Sequence, residues 1–154
     1  MATEIERKFL VKNDRWRELA TGTVYRQGYI STQKGITVRV RLVGNEGYLT
    51  IKSLTQGVSR VEYEYAIPAE DAQEMLDKLC DRPLIEKTRY KIELGSLVWE
   101  VDEFAGENQG LIIAEVELTD ENQIIDLPDW VGEEVSDDPR YYNANLVQHP
   151  FSQW

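Results

Sequence analysis

Polar and apolar residues alternate along most of this chain with a period of two. In the first such segment Glu4, Glu6 and Lys8 share one face and Ile5 and Phe9 the other, because successive side chains of a strand point to opposite faces. The same alternation predicts eight strands, at residues 3–11, 23–31, 36–43, 47–53, 58–67, 86–94, 97–104 and 111–118.

Turns and helices are predicted between the strands. Segments 44–47 and 94–96 contain glycine and are typical of hairpin turns. Shorter helices are predicted within residues 13–19 and 137–150. A longer helix is predicted over 69–80, where an apolar stripe recurs at helical spacing. That stripe consists of Ala72, Met75, Leu76 and Leu79.

Eight antiparallel strands of this length suit a small closed barrel, whose interior is filled by side chains or holds one ligand. Closure also removes the exposed strand edges that invite aggregation. We therefore predict an α+β protein that is mainly β, with an eight-stranded antiparallel closed barrel. At 154 residues, the chain is expected to form a single domain, 1–154.

The polar faces of the predicted strands are ionised, and like charges repeat two residues apart. The acids on these faces are Glu4, Glu6, Glu62, Glu64, Glu100, Asp102, Glu115 and Glu117. The bases are Lys8, Arg39, Arg41, Lys52, Arg60, Lys87, Arg89 and Lys91. Like-charged pairs repel unless an opposite charge or an ion lies between them, and acids and bases balance here although the whole chain has a net charge of −11. A charged, water-filled interior explains this balance, but half-solvated strands with their charges in water are common and stay open as the alternative.

Composition narrows the class of protein further. The acidic net charge of −11 argues against a nucleic-acid partner, which needs a basic surface. No apolar run reaches about 18 residues, so no transmembrane helix is expected. No signal-peptide pattern is visible and Cys80 is the only cysteine, which favours the cytoplasm. The sequence leaves the oligomeric state open, and a homodimer is compatible with it.

Clustered bases beside clustered carboxylates are typical of metal–phosphate recognition. Arg offers phosphate a bidentate fork and Lys a compact charge, whereas carboxylates suit hard cations such as Mg²⁺ or Mn²⁺. His149 is the only histidine, which excludes a histidine-rich zinc site. The chain contains no GxxxxGK[ST] phosphate loop and no GxSxG elbow, so it is neither a P-loop enzyme nor an enzyme with that serine nucleophile.

A series of motifs carries a family resemblance. In chain order they are Glu4-Ile5-Glu6-Arg7-Lys8, Gln27-Gly28-Tyr29, Arg39-Val40-Arg41, Lys52, Arg60-Val61-Glu62-Tyr63-Glu64, Lys87-Thr88-Arg89, Asp102 with Phe104 and Gly106, and Glu115-Val116-Glu117. These residues resemble the CYTH superfamily, the triphosphate tunnel metalloenzymes, whose signature is an N-terminal ExExK. The resemblance covers nearly the whole chain. It implies an eight-stranded antiparallel closed tunnel with a charged interior and helices packed outside over the apolar strand faces. It also implies a linear triphosphate ligand and dependence on Mg²⁺ or Mn²⁺.

The resemblance also implies roles for individual residues. The implied metal ligands are Glu4, Glu6, Glu115 and Glu117. The implied substrate-binding residues are Lys8, Arg39, Arg41, Lys52, Lys87, Arg89 and Tyr29. The implied catalytic residues are Glu62, Glu64, Asp102 and Lys8, with one of the three carboxylates orienting the attacking water. Some positions stay open: Tyr29 could instead be a packed strand aromatic. Arg60, Lys91 and Glu100 could be site residues or only ion-pair partners. Tyr141, Tyr142 and Asn143 could be core residues, which is the interpretation we favour, or a plug near a tunnel opening.

The chain is similar to the compact bacterial-type members of this superfamily, for which inorganic tripolyphosphate is the expected substrate. The implied reaction is hydrolysis of triphosphate to diphosphate and phosphate by metal-activated water. Alternatives that stay open are a class IV-type adenylate cyclase and a thiamine triphosphatase. Outside the enzymes, a barrel that only binds polyphosphate or nucleotides is a further alternative.

Overall fold

The computed structural model describes residues 2–32, 35–54 and 58–154. Its strands are β1 (Ala2–Val11), β2 (Gly22–Ile30), β3 (Thr37–Val43), β4 (Glu46–Lys52), β5 (Ser59–Ile67), β6 (Ile85–Leu94), β7 (Leu97–Phe104), β8 (Ile112–Glu117) and β9 (Val131–Glu134). The eight predicted strands are confirmed with small shifts at their ends. The short strand β9, which shows too little alternation to be recognised, was not predicted.

The strands form one antiparallel sheet that closes on itself. Strand order is β5-β4-β3-β2-β6-β7-β8-β1, and β1 also pairs with β5. The closing register runs from Ala2 opposite Glu62 to Ile5 opposite Ser59, and β9 continues along β1 near Phe9. The predicted eight-stranded antiparallel closed barrel is therefore confirmed, with a ninth strand added at one edge of β1.

Glycine closes the two tight hairpins that join β3 to β4 and β6 to β7. Gly44 has φ of 59° and Gly95 has φ of 63°, a left-handed conformation that glycine adopts without steric cost. Val43 pairs with Glu46 across the first turn. A two-residue loop with glycine at its first position matches the twist of the flanking strands, which confirms both predicted turns.

The first helix, α1 (Ala69–Lys78), packs on the outer face of the barrel. Its buried residues Ala72 and Leu76 join Val40 of β3 in a small apolar cluster. Gly47 lets the helix approach β4 closely, because a Cβ there would lie 2.8 Å from the Ala72 Cβ. Leu79 was predicted to belong to the buried stripe, and this is wrong, because the helix ends at Lys78 and Leu79 is 58% exposed.

The main outer core lies beside β1, β7 and β8. A short 3-10 helix, Arg15–Glu18, carries Trp16 into it. Trp99 packs edge-on against Trp130, with ring centroids 5.6 Å apart. The buried members of this core are Phe9, Trp16, Ile92, Trp99, Val101, Ala114, Val116, Leu118, Trp130 and Val131. The members on β1, β6, β7 and β8 occupy the strand positions that alternate with the charged ones, whereas Trp16, Leu118 and Trp130 reach this core from outside the strands.

The C-terminal segment closes part of the barrel interior. The helix predicted over 137–150 is divided into a 3-10 turn, Pro139–Tyr141, and α2, Asn143–Gln148, because Tyr142 between them is extended. Leu146 and Val147 of α2 pack against Ile85, Phe104 and Ile113. These three strand residues share the face of the interior charges, so α2 fills one end of the barrel with apolar side chains.

Within the described residues, no helix has both the length and the apolar character needed to span a membrane.

Candidate active site inside the barrel

The charged strand faces point into the barrel around a cavity of about 680 Å³. Eight of the sixteen charged residues singled out in the sequence are at most 7% exposed: Glu4, Lys8, Arg39, Lys52, Lys87, Arg89, Asp102 and Glu115. Fifteen of the sixteen line the cavity; only Asp102 does not. The alternative that places these charges in solvent on the outer face of the barrel is therefore wrong.

On one wall, carboxylates of β1 and β5 surround Lys52. Glu4 lies 2.8 Å from the Lys52 ammonium and 3.6 Å from the Arg60 guanidinium. Burial alone would raise the pKa of Glu4, but Lys52 and a hydrogen bond with Glu62 lower it to about 2. Burial and the adjacent Glu4 raise the pKa of Glu62 to about 7. Arg60, which the sequence left open, is thus a partner of Glu4.

Lys8 is enclosed by the carboxylates of the ExExK strand and β8. Its ammonium lies 2.6 Å from Glu115 and 3.4 Å from Glu6, and these charges outweigh burial and raise the pKa of Lys8. Burial, with Glu115 and Glu4 nearby, raises the pKa of Glu6. Burial, with Glu4 and Glu100 nearby, likewise raises the pKa of Glu117. Glu6 and Glu117 therefore lack sufficient positive charge around them.

Asp102 stands behind the cavity wall and holds two of its bases. It accepts hydrogen bonds from Arg89 Nε at 2.7 Å and Nη2 at 2.8 Å, and it lies 2.7 Å from the Lys87 ammonium. Because one carboxylate serves two cations, burial and the repulsion from Arg89 and Arg41 still lower the pKa of Lys87 to about 7. Asp102 is fully buried and does not itself line the cavity, whereas the two bases that it contacts do.

Arg39 and Arg41 of β3 carry positive charge that nearby carboxylates compensate only in part. Arg39 Nη2 is 3.2 Å from Thr50 Oγ1 and 3.5 Å from Glu64, but its buried Nε has no hydrogen-bond partner. Arg41 makes no ion pair within the described residues; its Nε donates to Gln27 Oε1 at 3.1 Å. Burial, with Arg39 and Arg89 nearby, lowers the pKa of Arg41 to about 10.

Aromatic and amide side chains complete this basic wall. Tyr25 lies between two guanidinium groups, 5.1 Å from Arg41 and 5.0 Å from Arg89. Tyr29 lines the cavity and also belongs to the apolar cluster at α2, as expected for a packed strand aromatic, and its role in substrate binding stays a prediction. Tyr25 shares the inward face with Gln27 and Tyr29, and this parity is a signal from which the sequence could have identified it.

Three residues of the last helix, Asn143, Ala144 and Asn145, line the cavity, as does Tyr142 just before it. Asn143 Oδ1 accepts hydrogen bonds from Lys87 Nζ at 2.9 Å and Gln27 Nε2 at 3.3 Å, whereas Tyr141 is buried among apolar residues. Core packing, the favoured interpretation of this segment, holds for Tyr141 but not for Asn143. No sequence pattern connects a helix residue with a base some 56 positions earlier.

The remaining charged positions lie towards solvent. Glu64 accepts from Thr50 Oγ1 at 2.9 Å, and its side chain is 42% exposed. Lys91 is 60% exposed in its side chain and lies 4.0 Å from Glu100, as expected for an ion-pair partner. A second cavity of about 410 Å³ adjoins the first, and Glu64 and Lys91 line both.

Within the described residues, no group of three or more acids, cysteines and histidines is arranged to hold a metal ion. Glu4 and Glu115 are instead paired with Lys52 and Lys8. The donor set nevertheless fits a hard cation, because it consists of carboxylate oxygens. The raised pKa values of Glu6 and Glu117 indicate that added positive charge would be favourable there.

The interior of this closed barrel has bases on one wall and carboxylates on the other, and neither group is fully compensated by the protein. Such an interior defines a class of protein that is suited to bind a multiply charged anion together with its counter-cations. Sequence comparison places the chain within that class: the model of the CYTH domain matches residues 2–144. The chain belongs to the CYTH family.

Similar proteins carry names that specify a function. An inorganic triphosphatase of Acetivibrio thermocellus is 53% identical over 154 residues, covering 100% of this chain and 99% of that protein. An inorganic triphosphatase of Nitrosomonas europaea is 43% identical over 150 residues, covering 94% and 97%. A solved structure of an inorganic triphosphatase has a TM-score of 0.64 at 37% identity, covering 93% of this chain and 96% of that chain. A putative adenylate cyclase from Bacillus halodurans, at 17% identity and a TM-score of 0.63, shares the fold alone.

Proposed function

We propose that this protein is an inorganic triphosphatase that hydrolyses tripolyphosphate to diphosphate and phosphate, with Mg²⁺ or Mn²⁺ as its cofactor. The names of the two relatives, at 53% and 43% identity over nearly the full chain, support this substrate class. The proposal includes the site residues named above, and it is supported by the cavity that all of them except Asp102 line.

One observation carries the proposal: carboxylates compensate the basic wall only in part, and Arg39 has Glu64 no nearer than 3.5 Å. Arg39 Nε has no hydrogen-bond partner and Arg41 has no carboxylate within ion-pair distance in the described part of the chain. A buried cation without a partner is costly, and phosphate oxygens are the acceptors that a guanidinium fork matches best. A phosphate chain against this wall would satisfy both arginines at once.

The opposite wall supplies the place for a cation. Glu6 and Glu117 would hold it together with Glu4 and Glu115, once phosphate draws Lys52 and Lys8 away from these two acids. When bound, Mg²⁺ or Mn²⁺ would neutralise phosphate oxygens and lower the pKa of water. Phosphoryl transfer of this kind depends mainly on positioning and charge stabilisation, which the rigid strand positions provide.

The carboxylates divide into two proposed roles. Glu62 and Glu64 line the cavity, and a carboxylate whose pKa is about 7, as for Glu62, suits a group that accepts a proton near neutral pH. Glu62 and Glu64 remain the candidates for orienting the attacking water. Asp102 acts by holding Lys87 and Arg89 against the substrate, since no atom of it faces the cavity.

The direct test is phosphate release from tripolyphosphate, ATP and thiamine triphosphate, each with Mg²⁺, with Mn²⁺ and with EDTA. We expect metal-dependent release that is largely confined to tripolyphosphate and abolished by EDTA. Release mainly from thiamine triphosphate, or cyclic AMP formation from ATP, would replace the proposal by one of those activities. No release from any substrate would leave a binding barrel.

A pair of variants separates hydrolysis from binding. Glu4→Gln should abolish turnover, because it removes a carboxylate proposed to hold the cation, while tripolyphosphate still raises the melting temperature. Glu103→Gln on β7 is the matched control: it removes an acid from the outer surface, where Glu103 pairs with Arg17 at 2.8 Å. If Glu4→Gln kept full turnover, the proposed metal site would be wrong.

A further inference from the structure

Two amide side chains occupy positions where carboxylates would be expected beside the basic wall. We call Gln27 and Asn143 the amide pair. Asn143 Oδ1 accepts from Lys87 Nζ at 2.9 Å and from Gln27 Nε2 at 3.3 Å. Gln27 Oε1 accepts from Arg41 Nε at 3.1 Å, and Gln27 Nε2 also donates to Tyr29 Oη at 3.0 Å.

The chemistry of the partners fixes the orientation of both amides. Ammonium and guanidinium groups only donate hydrogen bonds, so an amide oxygen must face Lys87 and another must face Arg41. The Gln27 nitrogen is then directed to the Asn143 oxygen, which agrees with the observed contacts. One chain of hydrogen bonds therefore runs from Arg41 through Gln27 and Asn143 to Lys87.

Amides orient bases without neutralising them. Elsewhere in this barrel, Lys8 and Lys52 are held by carboxylates at 2.6 and 2.8 Å, and each such pair cancels positive charge. Arg41 has only the neutral Gln27 as a hydrogen-bond partner in the described residues, and Lys87 shares the single carboxylate of Asp102 with Arg89. An excess of positive charge therefore remains at this part of the wall.

Asn143 also has a hydrogen-bond donor to spare. It lines the cavity, and no hydrogen bond among the described residues uses its Nδ2. With its oxygen committed to Lys87 and Gln27, this nitrogen remains to donate to an anion in the cavity.

We propose that the amide pair is a substrate-positioning device: Gln27 and Asn143 hold Arg41 and Lys87 in place while preserving their positive charge for the phosphate chain. Asn143 adds one neutral donor to the anion. The inference rests on the proposed function, since it assumes that the anion is a phosphate chain. It assigns α2 a role in substrate binding in addition to its packing role.

The test compares an isosteric change that adds charge with a truncation that adds none. Asn143→Asp replaces the amide by a carboxylate beside Lys87, and Asn143→Ala removes the side chain. Gln148→Glu is the matched control, because it adds the same charge to the exposed end of the same helix. For each variant we would measure KM and kcat for tripolyphosphate, the calorimetric Kd for tripolyphosphate in EDTA, and the melting temperature.

The proposal predicts that Asn143→Asp is the more damaging variant for binding and Asn143→Ala the more damaging one for stability. Asn143→Asp should weaken binding by roughly tenfold or more, since it adds a like charge next to the anion, and should raise KM more than kcat falls. Asn143→Ala should weaken binding less but lower the melting temperature more, because Lys87 then loses a partner without gaining a charge. Gln148→Glu should match the wild type, and Gln27→Glu should reproduce the binding loss at Arg41.

The outcomes separate this inference from the proposed function. If the wild type hydrolyses tripolyphosphate and Asn143→Asp binds it as well as Gln148→Glu does, the amide pair is structural only and the inference fails. If the wild type binds tripolyphosphate without hydrolysing it and Asn143→Asp weakens binding, the inference holds and the triphosphatase proposal fails. If the wild type neither binds nor hydrolyses it, both fail.

Discussion

Removing the charge of Asp102 should cost several kcal/mol, because this carboxylate is the shared partner of two buried bases. It makes three close contacts: two hydrogen bonds from Arg89 at 2.7 and 2.8 Å and one ion pair with Lys87 at 2.7 Å. Asp102→Asn keeps the shape and one carbonyl acceptor but leaves the cations undercompensated. Breaking one side of a buried ion pair typically costs about 3–5 kcal/mol.

The expected change in melting temperature follows from the size of the protein. At roughly 2–4 °C per kcal/mol for a domain of this length, Asp102→Asn should lower the melting temperature by about 6–20 °C. Differential scanning calorimetry or urea denaturation measures this directly. Glu103→Gln, the next residue, loses only a half-exposed pair with Arg17 and should cost about 1 kcal/mol at most.

Ligand provides the second half of the experiment. Because Lys87 and Arg89 line the cavity, an anion can replace part of the charge that Asp102 supplied. Tripolyphosphate in EDTA should therefore raise the melting temperature of Asp102→Asn by more than that of the wild type. A loss no larger than that of Glu103→Gln, or an equal ligand response in the two proteins, would refute the assignment of Asp102 as the holder of both bases.

Three further changes test other parts of the fold and site. The pKa of Glu62 is raised from 4.5 to about 7 in the folded protein, so its contribution to stability is full below pH 4.5 and is lost as pH rises through about 7. Because Glu62 is half-exposed, solvent screening reduces this contribution to about 1 kcal/mol. Glu62→Gln should therefore flatten the pH profile of stability, measured by urea denaturation, by that amount. Leu146→Ala should lower the free energy of unfolding by about 2–5 kcal/mol, because Leu146 is fully buried where α2 fills the barrel; a loss below 1 kcal/mol would show that α2 is not part of the core. Gly47→Ala should cost about 1–3 kcal/mol, measured by thermal denaturation, since the new Cβ would lie 2.8 Å from the Ala72 Cβ; an unchanged melting temperature would contradict the close approach of α1.

The barrel was predictable because its alternation involves charge as well as hydropathy. A run such as Glu4-Ile5-Glu6-Arg7-Lys8 fixes both the strand and the face that carries the charges. Whether that face points inward needs closure, and closure depends on the β1–β5 register. Local patterns do not encode this long-range pairing, so the sequence left the solvent-facing alternative open.

The site was only partly predictable. The alternation of side chains along a strand shows which charged residues share the inward face, but it does not show which residues they contact. Asp102 has the correct parity, yet its two bases cover it completely. Gln27 and Asn143 are neutral and therefore did not stand out in a pattern of charges, although they bond directly to Arg41 and Lys87. The prediction of the cytoplasm, and the question of a homodimer, stay as the sequence left them.

Strand β1 carries the first three charged residues of the site but finds its partners far along the chain. Glu6 pairs with Glu117 of β8, and Ala2 pairs with Glu62 of β5. Such distant pairings form late, because the entropy of closing long loops must be offset before the contacts stabilise the chain. During synthesis β5 becomes available to β1 once residue 67 has been made, but the pairing of β1 with β8 requires the chain as far as residue 117. We therefore expect the barrel to close, and its charged cavity to be complete, only after most of the chain has been made.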